Sequence, residues 1–126
     1  MRTYLAVLIG GGLGAAARYG LTQGLNALWT RPFPLGTFCV NALGSLLIGF
    51  LFQIFEAHKI TAEVRLLIIT GFLGGYTTFS SYALETFRLF TLGGAVKQAL
   101  LNILVNNLAA LVLVALGMGL GRALVK

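Results

Sequence analysis

Apolar residues gather along the chain into four long runs almost free of charge, separated by short clusters of charged residues, glycine and proline. As an α-helix, about 20 such residues cross the ~30 Å hydrocarbon core of a bilayer. The pattern therefore predicts an all-α integral membrane protein, one unit over residues 1–126 with transmembrane helices at about 4–28, 36–55, 64–90 and 98–121. Four crossings would leave both termini on the same side. Trp29-Thr30-Arg31-Pro32-Phe33-Pro34 holds both prolines of the chain and reads as a turn at the membrane surface. Glu56 to Glu63 reads as an aqueous loop with a solvated His58, and Thr61 and Glu63 supply the N-cap and first-turn acid of the third span. Leu92-Gly93-Gly94-Ala95 predicts a short turn before the fourth.

Departures from this greasy background carry the information. In the first span, Gly10-Gly11-Gly12-Leu13-Gly14 sets four glycines in five residues, with Gly10 and Gly14 as a small-xxx-small pair. Glycine at that spacing lets another backbone approach closely. In the second span Thr37, Asn41 and Ser45 fall at i, i+4 and i+8, one polar stripe on one helix face. Within the third, Gly74-Gly75 and Thr77-Thr78 weaken the helix at mid-depth, which predicts a break near Gly74–Thr78. A broken helix in lipid leaves amides and carbonyls unsatisfied, so the break must face protein, water or an ion. The fourth span repeats the i, i+4 spacing with Asn102 and Asn106, while Asn107 lies about 100° further round and reads as a packing residue.

Composition narrows the class. Of 126 residues 58% are hydrophobic, the mean hydropathy is +0.92, and only 12 carry full charge, nearly all at the ends of the runs. The formal net charge of +6 therefore belongs to membrane surfaces, and nothing in the chain resembles a nucleic-acid-binding module. The single cysteine, Cys39, excludes an intramolecular disulfide or thiolate cluster and reads as a buried packing residue. The apolar run after Arg2 outlasts a signal-peptide core, so cleavage is not expected. Basic residues divide weakly between the two faces: Arg2, Lys59, Arg65, Arg122 and Lys126 on one, Arg31, Arg88 and Lys97 on the other, with Arg18 of uncertain depth. Because that bias sets orientation, a chain this evenly divided is expected to insert both ways up. Two opposed copies would build the inverted-repeat arrangement that many transporters carry within one chain.

Four spans leave little room for an aqueous path inside one subunit, so the polar stripes predict an obligate oligomer. The candidate lining is Thr37, Asn41 and Ser45, then Thr77, Thr78, Ser80 and Ser81, then Asn102 and Asn106. Amide and hydroxyl hydrogens suit an anion or a neutral polar solute, whereas a cation path would normally show intramembrane carboxylates. Glu85, the one acid near the third span's core, has candidate partners on its own helix in Arg88 and Ser81. Phe79 and Tyr82 share a face at i, i+3. No nucleophile, base pair or metal cluster suggests an enzyme. A proton-coupled exporter of cationic drugs would need a carboxylate deep in the first span, and there is none from Tyr4 to Leu28.

Gly71-Phe72-Leu73-Gly74-Gly75-Tyr76-Thr77-Thr78-Phe79-Ser80 resembles the signature of the Fluc (CrcB) family, small dual-topology fluoride channels of bacteria. Gly11 to Tyr19 and Pro34 to Asn41 resemble its other two motifs in the same order, so the likeness covers essentially the whole chain. The resemblance implies an antiparallel homodimer in the bacterial inner membrane, with two fluoride pathways and a structural sodium ion (Na+) on the two-fold axis. It implies that the carbonyls of Gly74 and Thr77 hold the sodium, that Asn41 donates to fluoride, that Phe79 and Tyr82 turn ring edges to the pathways, and that Arg18 stands at a vestibule. Thr78, Ser80 and Glu85 become supporting polar groups. Three departures stand out: Ser81-Tyr82 replaces the usual Thr-Phe and adds a hydroxyl to the second ring, Asn102 and Asn106 stand where tyrosine, serine or histidine is frequent, and Ala110 replaces a frequent serine.

Overall fold

The computed structural model describes residues 1–91 and 94–125, and every regular element among them is helical. In chain order these are α1 (Arg2–Leu28), α2 (Leu35–Ala57), α3 (Ala62–Arg65), a π-helical segment (Leu66–Leu73), α4 (Gly74–Tyr76), α5 (Phe79–Thr91) and α6 (Val96–Leu124). Helices α1, α2 and α6 run for 27, 23 and 29 residues, each long and apolar enough to cross a membrane. The third crossing is pieced together from α3, the π segment, α4 and α5, with a two-residue gap at Thr77–Thr78.

The connections follow from local chemistry. Leu28 ends α1 because Trp29 turns extended, and its indole Nε1 donates to the Phe33 carbonyl at 2.9 Å, closing the proline-containing turn. Thr61 caps α3 as expected, accepting from the Val64 amide at 3.4 Å. Arg65 ties the same loop back to α2, donating to Glu56 Oε1 at 2.9 Å and to the Phe55 carbonyl at 3.1 Å. His58 is exposed, with its Nδ1 2.9 Å from the Ile54 carbonyl at the end of α2. Of the expected turn before α6, Leu92 and Gly93 lie outside the described residues. Gly94 takes φ of 58°, a left-handed conformation that favours glycine.

Two backbone-on-backbone contacts set the packing. Helix α1 lies on the π segment, where a Cβ on Gly10 would collide with the Leu67 carbonyl and one on Gly14 with the Phe72 carbonyl. The contact continues into α4, where a Cβ on Gly75 would strike the Gly11 carbonyl. The small-xxx-small pair thus has a partner, and the partner is an unusual helix. On the other side α2 packs along α6, with Gly49 against the Val114 carbonyl and Gly117 against the Leu46 carbonyl. With lipid as apolar as the helices themselves, such close approach is the main source of association.

Candidate functional site

The break lies a little later than the glycine pair suggested. Gly74 and Gly75 stay helical, and the chain turns extended at Thr77, with φ of −79° and ψ of 156°. Hydrogen bonding explains the shift. The Thr77 amide still reaches the Leu73 carbonyl at 3.0 Å, but the Thr78 amide, which would continue the helix onto Gly74, donates instead to Asn41 Oδ1 at 2.9 Å. Asn41 Nδ2 donates back to the Thr78 carbonyl at 3.1 Å. One side-chain amide from α2 thereby pairs with both backbone polar groups of Thr78, as a neighbouring strand would.

Downstream, Thr78 restarts the helix. Its Oγ1 accepts from the Ser81 amide at 3.2 Å, an N-cap bond, and donates to Ser81 Oγ at 3.1 Å, with Ser80 Oγ 3.4 Å away. The Ser81 amide would otherwise have turned to the Thr77 carbonyl. Asn41 and Thr78 between them therefore draw away the helical donors of two carbonyls, Gly74 and Thr77. Such freed oxygens are hard dipoles, the donor set a group-1 cation takes, so the residues present fit a sodium ion.

From the break a chain of polar groups crosses to α6 and returns. Asn41 Nδ2 points at Asn106 Oδ1 at 3.5 Å, and Asn106 Nδ2 donates to Asn102 Oδ1 at 2.7 Å and to the Asn102 carbonyl at 3.1 Å. Asn102 Nδ2 donates to Thr86 Oγ1 at 2.8 Å, and Thr86 passes its hydrogen to the Tyr82 carbonyl at 2.7 Å. Asn102 and Thr86 are buried, as a satisfied network requires. Thr86 had no role in the sequence reading, although it stands one turn after Tyr82 on the face turned to α6.

The stripe on α2 divides its work. Thr37 donates to Glu85 Oε1 at 2.8 Å, Asn41 holds the break, and Ser45 donates to the Asn41 carbonyl at 2.7 Å. Glu85 thus pairs with neither Arg88 nor Ser81, the partners expected on its own helix: α5 turns it toward α2. Its Oε2 is buried with no partner among the described residues, and it lines a small recess together with Pro32, Pro34 and Arg88. Phe79 and Tyr82 touch, with ring centroids 5.4 Å apart at 56°, yet Phe79 is 77% exposed and Tyr82 only 9%. Asn41, Thr77, Thr78, Tyr82 and Asn106 all line an open cavity of about 480 Å³ beside the break, and Gly74 lies on its wall. Arg18 and Ser80 do not line it; Arg18 lies half-buried on α1 and Ser80 is exposed.

Residues 5–118 match the family described as CrcB-like protein, Camphor Resistance (CrcB). The chain belongs to this CrcB family. Among curated relatives, a protein of Parabacteroides distasonis is 41% identical over 94% of this chain and 92% of its own length. One of Legionella pneumophila (strain Paris) is 48% identical over 90% and 85%, and one of Pyrococcus furiosus 47% identical over 97% and 98%. All three are named fluoride-specific ion channel FluC. With this membership and its apolar helices, the CrcB chain is a multi-pass membrane protein and not an enzyme.

Proposed function

We propose that this CrcB chain forms a passive, fluoride-selective channel, an antiparallel homodimer with two pores and a structural sodium ion on its two-fold axis. The observation that carries the reading is the break itself: a helix opened by Asn41 and Thr78 beside an open cavity at mid-span. Lipid-facing backbone could not remain so. The names of the curated relatives supply the ion.

Fluoride is small and strongly hydrated, so a narrow path must return hydrogen bonds for those it strips, and a larger halide fits the same donors poorly. The Asn41 amide suits this use, because its contact with Asn106 at 3.5 Å is long enough to yield its hydrogen to an anion. Phe79 and Tyr82 would add the positive edges of their rings. Weak acid entering a cell as HF ionises inside, and a negative-inside potential would drive the anion back out through such a path. Arg18, by its charge, would raise the anion concentration at a vestibule.

A second, opposed copy is supported by three features: the weak division of basic residues between faces, the exposure of Phe79, and open space beside Gly74. Two freed carbonyls from each subunit would give a cation four oxygens at the axis. Bound there, the ion would neutralise converging dipoles and join the subunits, while Asn41 and Thr78 keep the carbonyls aimed.

Purified protein in liposomes, read with a fluoride electrode, tests the reading. Fast fluoride efflux that chloride does not reproduce is expected; efflux no faster than from protein-free liposomes rejects it, as a purely structural subunit requires. Asn41→Asp keeps the acceptor for Thr78 N–H but loses the donor and adds repulsion. It is expected to slow efflux, and unchanged conduction removes Asn41 from the pathway.

A further inference from the structure

Most of the side-chain hydrogens around the central cavity are already committed. Ser45 donates to the Asn41 carbonyl, Thr77 to the Leu73 carbonyl, Thr78 to Ser81, and Asn106 twice to Asn102. Asn107, which the sequence assigned to packing, also lines the cavity, and its Nδ2 sits 2.7 Å from the Ile103 carbonyl and 3.1 Å from Tyr82 Oη. The first distance fixes the amide's orientation, since an oxygen placed there would face another acceptor. Nδ2 can only donate, so Tyr82 Oη must accept. The phenol's own hydrogen is then left over, with no acceptor among the described residues. Neutral amide donation also polarises the phenol and strengthens the bond it can give.

We infer that Asn107 is a positioning residue that holds the Tyr82 hydroxyl as a fixed hydrogen-bond donor to the permeating anion, so that this ring serves through its O–H as well as its edge. The inference rests on the channel reading. Without Asn107 the hydroxyl is free to swing. A phenylalanine at 82 has nothing for Asn107 to hold.

Four proteins decide the matter in the fluoride-electrode assay: the parent, Asn107→Leu, Tyr82→Phe and the double variant. Asn107→Leu should slow fluoride efflux of the parent by about five- to tenfold, the weight of one hydrogen bond, and should change nothing in the Tyr82→Phe background. An equal slowing in both backgrounds, or none in either, overturns the inference while the parent still conducts. A parent that conducts no fluoride overturns the channel reading instead. Should Asn107→Leu fail to fold, infrared difference spectra of the parent carrying ring-labelled tyrosine replace it. Fluoride in place of chloride should shift the phenol C–O band, the shift should vanish in Tyr82→Phe, and an unmoved band overturns the inference.

Discussion

Upstream of the break, the third span leans on α1 through close backbone contacts, with Gly10, Gly11 and Gly14 set against Leu67, Phe72 and Gly75. Downstream of it, α5 is held by side chains: Glu85 by Thr37, Thr86 by Asn102, Tyr82 by Asn107, and Thr78 at the gap itself by Asn41. One half is located by the absence of side chains, the other by their hydrogen bonds. The two kinds of contact fail differently. A steric seat tolerates no added carbon, because carbonyls on rigid helices cannot step aside. A polar seat tolerates changes of shape but not the loss of a partner, which leaves a buried group unsatisfied.

The steric seat should give the largest effect. Gly14→Val places carbon where the Phe72 carbonyl already is, and only separation of α1 from the π segment relieves it. Overpacking of this kind costs about 3 kcal/mol or more, and the monodisperse peak in detergent should be lost on size-exclusion chromatography. Survival of that peak at the parent's melting temperature would mean that the two backbones do not touch as described.

Next comes the polar seat. Asn41→Leu keeps the volume but strands both the amide and the carbonyl of Thr78, at about 1–3 kcal/mol for each group. The protein should melt earlier yet still assemble, and hydrogen exchange at Thr78 should accelerate more than at any residue of α1. If exchange rises uniformly instead, Asn41 supports the whole bundle rather than the gap.

Much of this division was visible in the chain before any coordinates. The glycine pair at 10 and 14 announced a close backbone, the stripe Thr37–Asn41–Ser45 announced a polar partner, and the paired glycines and threonines of residues 74–78 announced the gap. What escaped has a common cause. The π-helix lies where α1 seats the chain; Gly74 N–H reaches back five residues to Ile69, and no apolar pattern separates that from an α-turn. The gap moved past the glycines because a residue 37 positions away captured the Thr78 amide. Thr86 and Asn107 were passed over for the same reason, since each gains its meaning from a partner on another helix.

A smaller loss is expected at the restart of α5. Thr78→Val removes the Oγ1 that accepts from Ser81 N–H while keeping the branched shape, and a lost N-cap costs about 1 kcal/mol. Thr78→Ser should restore both the melting temperature and the protection of the Ser81 amide. Failure of serine to rescue would assign the effect to the methyl group, and the cap would then contribute nothing.

The smallest effect should come from within the same glycine run as the largest. Gly12 stands two residues from Gly14, yet a Cβ added there meets nothing within 4 Å. If the run mattered by loosening α1, Gly12→Ala and Gly14→Ala would act alike, since alanine favours the helix equally at both. If it matters by admitting another backbone, they must part: Gly14→Ala destabilises, whereas Gly12→Ala gains up to about 1 kcal/mol from the unfolded chain's lost freedom. Melting temperatures of the two variants separate the cases. Damage at Gly12 comparable to that at Gly14 would mean that a second chain leans on this face of α1, and the steric seat would then extend beyond one subunit.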